Sequence, residues 1–295
     1  MKSKVSIILV NYNGFKDTVE CINSLRHIDY IDYDIIVVDN DSEKDYELLS
    51  DRYAGSNDIT IISSGSNLGF SGGNNIGISY ARNQGAEYIL LLNNDTLVEN
   101  DFLTDMVSTA QQFNNRCAIT SKIMYACDKE RIWYAGGKFD FKTSRTSVDG
   151  INKKDSEKYN KAQKVSFASG CCLLIPIEIL DKIGLMNEDY FLYCEDTDYC
   201  LRILKAGFEI MYEPKSKIYH KVNASTNKIA GIQTYYLVRN KLYIVQKYVE
   251  IRYKAFAYLY VITETIKRVI TREYDAESVK AGVIDFCKGF NGKKI

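Results

Sequence analysis

Residues 88–100, YILLLNNDTLVEN, run through five apolar side chains and stop on Asn93, Asn94 and Asp95, with Asp95 the first charge. An unbroken apolar run without polar alternation reads as a strand buried on both faces, the pattern of a parallel sheet covered by helices. A polar cluster straight after such a strand belongs at a sheet edge, and the question is what it serves there.

Three other segments repeat the pattern. KVSIILVNYNG (4–14) is a buried strand ending at Asn11, YDIIVVDNDS (33–42) ends in a polar cluster at Asp39, and ITIISS (59–64) is a shorter strand. Between them, Asp17 to Ile28 places Val19, Ile22, Leu25 and Ile28 at helical spacing, and GISYARNQG (77–85) reads as a helix after a glycine-rich turn. Strands alternating with helices predict a parallel or mostly parallel sheet. In open α/β sheets ligands bind beyond the carboxyl ends of the strands. Asn11–Asn13, Asp39–Asp41 and Asn93–Asp95 are therefore expected on one edge.

The middle of the chain is less regular. Gly136-Gly137 in IWYAGGKFDF suggests a hairpin turn, and residues 142–164, polar and lysine-rich, read as an exposed loop. VSFASGCCLLIP (165–176) reads as a strand carrying two small buried cysteines. A short helix starts at Pro176. EDTDYCLRILKAGF (195–208) is an amphipathic helix with Tyr199, Ile203 and Leu204 inward and Gly207 as its stop. TYYLVRNKLYIVQKYV and AFAYLYVITETIKRVI predict two further helices.

The 38 basic residues balance 38 acidic ones, but from Asn223 onward the chain carries +7 and before it −7. A basic end suits an anionic surface such as a membrane, or simply a solvated helical face. The acidic first part, without an aromatic-basic stripe, speaks against a nucleic-acid partner. No segment reaches the roughly 20 apolar residues that span a bilayer. Eight cysteines without paired metal spacing, and no leader before Val5, lead to the expectation of a reducing cytoplasm.

Taken in order, SIILVNYNG, IIVVDNDS, NLGFSGGNNIGI, LLLNNDTLV, FLYCEDTDYCLR and the RN after YYLV resemble the signature of family 2 glycosyltransferases, nearest the rhamnosyltransferase-like subgroup. The resemblance covers residues 4 to about 245. It implies a GT-A fold, an α/β arrangement with a mostly parallel central sheet flanked by helices, as a catalytic domain over 1–222. Residues 223–295 are then a basic helical C-terminal extension. It implies inverting transfer of a sugar from a nucleoside diphosphate, dTDP-rhamnose first and UDP-sugars next, to a saccharide or lipid-linked acceptor in cell-surface polysaccharide synthesis. A nucleotidyltransferase and a non-catalytic carbohydrate- or nucleotide-binding protein of the same fold are the rival readings.

The resemblance also assigns roles. Asn93-Asn94-Asp95 stands where GT-A enzymes carry Asp-x-Asp, with Asn in place of the first Asp, and Asn93 and Asn94 are candidates for nucleotide-sugar contacts. Asp95 is the expected carboxylate for a divalent cation, Mn2+ or Mg2+, which offsets charge on the diphosphate. With a single carboxylate, that cation is expected mainly together with nucleotide. His220 resembles the family's later histidine and adds a nitrogen ligand. Asp39 is the expected acceptor for a base N–H, with Val10, Asn11 and Tyr12 around base and ribose; an Asx turn at Asp39–Ser42 is the plainer alternative. Asn67, Gly69 and Asn74 or Asn75 are candidates for donor contacts. Asp196 matches the family's base, crowded by Glu195 and Asp198, with Arg202 available to pair with either neighbour. Trp133, Gly136, Gly137 and Asp198 are candidates for the acceptor cleft, and Arg239, followed by Asn240, for the diphosphate.

Overall fold

The computed structural model describes residues 3–222 and 230–294. Its elements run β1 (Val5–Asn11), α1 (Phe15–Leu25), β2 (Tyr33–Asp39), α2 (Asp45–Arg52), β3 (Ile59–Ser63), α3 (Gly69–Asn83), β4 (Tyr88–Asn93) and β5 (Thr96–Val98). Next come α4 (Phe102–Gln112), β6 (Cys117–Tyr125), β7 (Asp128–Tyr134), β8 (Gly137–Asp140), β9 (Arg145–Val148), β10 (Gln163–Val165) and β11 (Cys172–Pro176). The chain ends with α5 (Ile177–Ile183), α6 (Glu195–Lys205), β12 (Glu209–His220), α7 (Ala230–Tyr248), α8 (Ile251–Ile270) and α9 (Ala276–Cys287).

The continuous apolar runs are the middle of a ten-stranded sheet ordered β10-β12-β6-β11-β4-β1-β2-β3, with β5 on β12 and β7 on β6. β4, β1, β2 and β3 are parallel neighbours, as are β6 and β12, whereas β11 runs antiparallel to β4 and β6. Strands buried on both faces explain why these runs lack alternation. The side chains of Ile7, Ile8, Leu9, Val37, Leu90 and Leu91 are fully buried in one core.

Several expectations need correction. The glycine-rich segment is not a turn before a helix: from Gly69 on it is the helix α3 itself. Gly73 and Gly77 are there for contact, because a Cβ would stand 2.8 Å from Val10 Cγ1 and 2.6 Å from Ile8 Cγ2. Gly136-Gly137 is not a hairpin turn either. It carries the chain from β7 in the main sheet to β8, which pairs with β9 in a separate two-stranded sheet. Residues 142–164 contain β9 and the start of β10, and 165–176 splits between the end of β10 and β11.

The supposed loop is held down by a charge. Lys122 in β6 is almost wholly buried, and its Nζ donates to Asp155 Oδ1 at 2.9 Å and Asn160 Oδ1 at 2.5 Å. β12 contains Pro214 and takes a register shift between Glu213 and Lys217 where it pairs with β6, the irregularity that lets a central strand tolerate proline.

The C-terminal helices have their own small core of Val238, Leu242, Val245, Val249, Ala257 and Val261. A second cluster, Phe139, Tyr190, Leu201 and Ile244, joins α7 to α6 and to β8. Among the described residues no helix is long and apolar enough to cross a membrane.

Removing one partner of a buried ion pair strands the other charge. Asp155→Ala is expected to cost about 3 kcal/mol in urea unfolding, and Lys122→Met, which removes the charge with similar volume, clearly less. Equal losses would mean that the ion pair does not tie 142–164 to the sheet.

Candidate active site

β1, β2 and β4 lie side by side and finish almost level, with Asn11 opposite Asp39 and Val10 opposite Asn93. Asn11 has no exposed surface. Its Nδ2 donates to Asp39 Oδ2 at 2.7 Å and to Asp45 Oδ2 at 3.1 Å, and its Oδ1 accepts from Thr18 Oγ1 at 2.7 Å. Asp39 also accepts from the Ser42 amide at 3.0 Å, so the Asx turn is present. Each carboxylate oxygen has two lone pairs, which leaves Asp39 able to accept from a ligand as well. Tyr12, next along the chain, is about half exposed.

Asn94 points back into this knot, donating to Thr18 Oγ1 at 2.8 Å and Asn11 Oδ1 at 3.4 Å. That corrects its expected ligand role: its amide nitrogen serves the strand edge. Asn74 is likewise buried, its Nδ2 on the Phe70 carbonyl at 2.9 Å, and Asn75 bonds to Met186 O and Glu188. Asn67 Oδ1 accepts from Gly69 N and Asn40 Nδ2, closing the loop before α3. At Gly69, with φ +72°, a Cβ would fall 2.1 Å from the Phe191 carbonyl oxygen, so its glycine answers a backbone contact and not a donor sugar.

After Asp95, β5 pairs antiparallel with the end of β12 and sets His220 opposite Thr96. His220 Nε2 is 3.1 Å from Asp95 Oδ1 and 3.5 Å from Asn93 Nδ2. Despite this proximity, Asp95 Oδ1 and His220 Nδ1 are both buried without a hydrogen-bond partner. The Trp133 ring packs edge-on against His220, centroids 4.7 Å apart. The nitrogen that faces Asp95 Oδ1 is Nε2, not the unpartnered Nδ1, so a carboxylate oxygen without a hydrogen bond and the imidazole Nε2 beside it form a donor set that fits a divalent cation. Among the described residues no group of three or more His, Cys, Asp or Glu could hold a metal. The rest of such a shell falls to water or ligand oxygens.

The acidic pair begins α6. Asp196 Oδ1 accepts from Thr197 N at 2.7 Å and its Oδ2 from Gly170 N at 3.5 Å. Gly170 precedes Cys171, whose carbonyl accepts from Asn93 N at 2.9 Å, so the pair reaches the same edge as Asn93 and Asp95. Glu195 is buried and its Oε2 has no partner. Burial pushes the Glu195 carboxyl well above the usual range, and the neighbouring Asp196 charge adds to it. Burial raises Asp196 too, against the pull of hydrogen bonds from Thr197 and Gly170.

Three expected site residues lie elsewhere. Asp198 is fully buried on the opposite side of α6, bonded to Arg202 Nε at 3.0 Å, Lys247 Nζ at 2.6 Å and Tyr248 Oη at 2.7 Å. Gly136 and Gly137 pack on Val165, Tyr212 and Phe167, where a Cβ at Gly137 would be 2.8 Å from Phe167 O. They leave room for protein backbone, not for an acceptor. Arg239 is a fourth: it is fully buried and its guanidinium faces the carbonyls of Asp189, Tyr190 and Gly292, so it does not reach a diphosphate. Sequence reasoning passed over Asn40, Thr18 and Gly170. Of these only Gly170, between Ser169 and the paired cysteines, stands out in the sequence.

The family profile described as glycosyl transferase family 2 matches residues 6–184. The chain belongs to that family. It is 24% identical, over 99% of its length and 97% of the relative's, to the dTDP-rhamnosyl transferase RfbF of Shigella flexneri. It is 28% identical to the rhamnosyltransferase WbbL of Escherichia coli K12, over 73% of this chain and 83% of that one. Among solved structures, GalNAc-T7 with UDP, GalNAc and Mn2+ superposes with a TM-score of 0.68 at 14% identity, covering 98% of this chain and 58% of that one. Staphylococcus aureus TarS 1-349 in complex with UDP gives 0.58 at 16%, covering 91% and 72%. These likenesses establish the GT-A fold, and the family makes the chain a nucleotide-sugar glycosyltransferase. The nucleotidyltransferase and non-catalytic readings are not favoured.

A carboxyl whose pKa is raised on folding contributes stability at low pH and loses it as pH climbs through the folded value. For Glu195 that loss starts near its ordinary 4.5 and extends upward. Glu195→Gln should therefore gain in melting temperature relative to the parent between pH 4.5 and pH 8. Scanning calorimetry across that range checks it, and a pH-independent difference would show Glu195 to be solvated.

Proposed function

We propose that the enzyme transfers a rhamnosyl residue from dTDP-rhamnose to a hydroxyl of a lipid-linked saccharide, extending a cell-surface polysaccharide. The observation that carries this reading is the meeting of two groups at one sheet edge: Asp95 Oδ1, without a hydrogen bond and beside His220 Nε2, and the buried Glu195–Asp196 pair. The printed activities of the two rhamnosyltransferase relatives support the sugar. A Mycobacterium tuberculosis relative named N-acetylglucosaminyl-diphospho-decaprenol L-rhamnosyltransferase, 36% identical over 64 residues, supports the lipid-linked acceptor. A UDP-sugar is the second donor, since both fold neighbours were solved with UDP.

In this reading Asp39 accepts the N–H of the thymine or uracil base, with Val10, Asn11 and Tyr12 lining base and ribose. Asp95 and His220 hold the divalent cation, Mn2+ ahead of Mg2+ because one donor is nitrogen. When bound, that ion supplies positive charge beside the diphosphate. The acceptor oxygen attacks the anomeric carbon from the face opposite the diphosphate. The new C–O bond forms as the bond to phosphate breaks, so the configuration inverts. Asp196 takes the hydroxyl proton, a task its raised pKa suits. Trp133, against His220, offers a ring face or edge to a sugar.

The division into a catalytic part, 1–222, and a C-terminal part, 223–295, gives the second part the membrane. Along α8 the side chains of Phe256, Leu259, Ile262, Ile266 and Ile270 are exposed at helical spacing, with Arg252 and Lys267 exposed beside them. An apolar stripe with cationic neighbours suits the headgroup region of an anionic bilayer. The enzyme then works as a peripheral protein on the cytoplasmic face.

Transfer of labelled rhamnose from dTDP-rhamnose to a lipid-linked saccharide should require Mn2+ or Mg2+ and stop with EDTA. Asp196→Asn should lower turnover by roughly 100- to 10,000-fold with nucleotide binding nearly intact. Unchanged turnover would remove Asp196 from the chemistry. In flotation at low salt the protein should rise with phosphatidylglycerol vesicles and Leu259→Asp should not. A parent that stays at the bottom would dismiss the membrane role.

A further inference from the structure

The loop that leads into the acidic pair has an unusual backbone. Phe191, Tyr193 and Cys194 have positive φ of 58°, 65° and 70°, and none is glycine or asparagine; Phe191, with ψ −57°, sits at a tight turn in which Leu192 N donates to the Tyr190 carbonyl, and Cys194 is left-handed. Such a run persists only when its surroundings over-determine it. Here those surroundings come from α7, about fifty residues further along the chain.

Asn240 spends its amide on this loop. Its Nδ2 lies 2.8 Å from the Tyr190 carbonyl oxygen, 2.8 Å from that of Leu192 and 2.7 Å from that of Tyr193. Arg239 Nε donates to Asn240 Oδ1 at 2.9 Å, which fixes the way the amide faces. The remaining Arg239 donors go to Asp189 O at 3.2 Å, Tyr190 O at 3.3 Å, Gly292 O at 2.8 Å and Tyr235 Oη at 3.3 Å. All five guanidinium N–H groups are thereby used. From the other side, Phe70 N donates to Phe191 O at 2.9 Å. Lys247 and Tyr248 on α7 grip α6 again through Asp198.

We propose that Arg239 and Asn240 are positioning residues, which hold the loop of 189–194, with its three positive-φ residues, in the path that delivers Glu195 and Asp196 to the sheet edge. They touch neither substrate nor metal and act through the backbone of the loop. The carbonyls they neutralise would otherwise crowd one another around a single point. This inference rests on Asp196 being the base.

The test uses the full chain with Asn240→Ala and the milder Arg239→Lys, which keeps the charge and loses the fork. Expected are a kcat reduced by about 100-fold in Asn240→Ala, in keeping with a displaced catalytic group, and a nearly unchanged KM for the donor. The acid limb of the kcat–pH profile should shift, since the environment of Asp196 changes. Hydrogen exchange should speed up at Leu192–Thr197 while Val238–Val261 stays protected. Variants that fold and keep the parental kcat and acid limb would overturn the proposal, and so would a loss confined to KM. Failure of both variants to fold would overturn it too, making the pair a fold determinant. If Asp196→Asn is fully active while loop exchange still rises, the base assignment falls and the backbone clamp stands.

Discussion

The side chain of Asn11 is the constraint on which the candidate site depends. A fully buried amide must find partners for its donors and its acceptor, since each left unmade costs roughly 1–3 kcal/mol. Asn11 finds them in Asp39 and Asp45 on one side and in Thr18 and Asn94 on the other. In doing so it ties the ends of β1 and β2, the start of α1 and the turn after β4 to one point. Asp95 follows directly on Asn94, so the position of the expected metal ligand is set by this network before any ligand arrives.

Opposite that knot, the acids are kept in an environment that opposes their ionisation. Glu195 and Asp196 adjoin within a buried region, and burial raises both. A carboxylate in such a place is a stronger base than one in water. Folding tolerates the cost because α6 is anchored on its far side, where Asp198 is matched by Arg202 and Lys247. Of the three acids of this helix turn, Glu195 and Asp196 lie buried toward the sheet edge and Asp198 attaches the helix.

Much of the strand pattern was legible because a doubly buried strand is a composition: Val5 to Val10 and Tyr88 to Leu92 need no partner to be recognised. β6 and β12 were not, because Lys122 and Pro214 interrupt them, and only distant residues, Asp155 and Asn160 in one case and a register shift in the other, make those interruptions tolerable. The site divided in the same way. Asp39, Asp95, Glu195 and Asp196 stand at the ends or starts of elements that their own sequence defines, whereas His220 closes β12 and was singled out by the resemblance alone. The packing roles of Asp198, Gly136, Gly137 and Arg239 are set by residues that fold onto them from elsewhere in the chain. An arginine beside an asparagine on an amphipathic helix carries no local sign that five backbone carbonyls and a hydroxyl await the pair.

The glycines of α3 connect the two halves of this arrangement. In a helix interior each costs about 1 kcal/mol relative to alanine. At Gly73 and Gly77 that cost is offset by letting the helix lie against Val10 and Ile8, closer than any side chain would permit. The close approach brings the first turn of α3 down to the sheet edge, where Phe70 N takes the Phe191 carbonyl and Gly69 leaves room for it. Any larger residue at 73 or 77 would push α3 off β1 and carry the loop of 189–194 with it. The spacing between Val10 and the acids of α6 therefore depends on how closely this helix lies on the sheet.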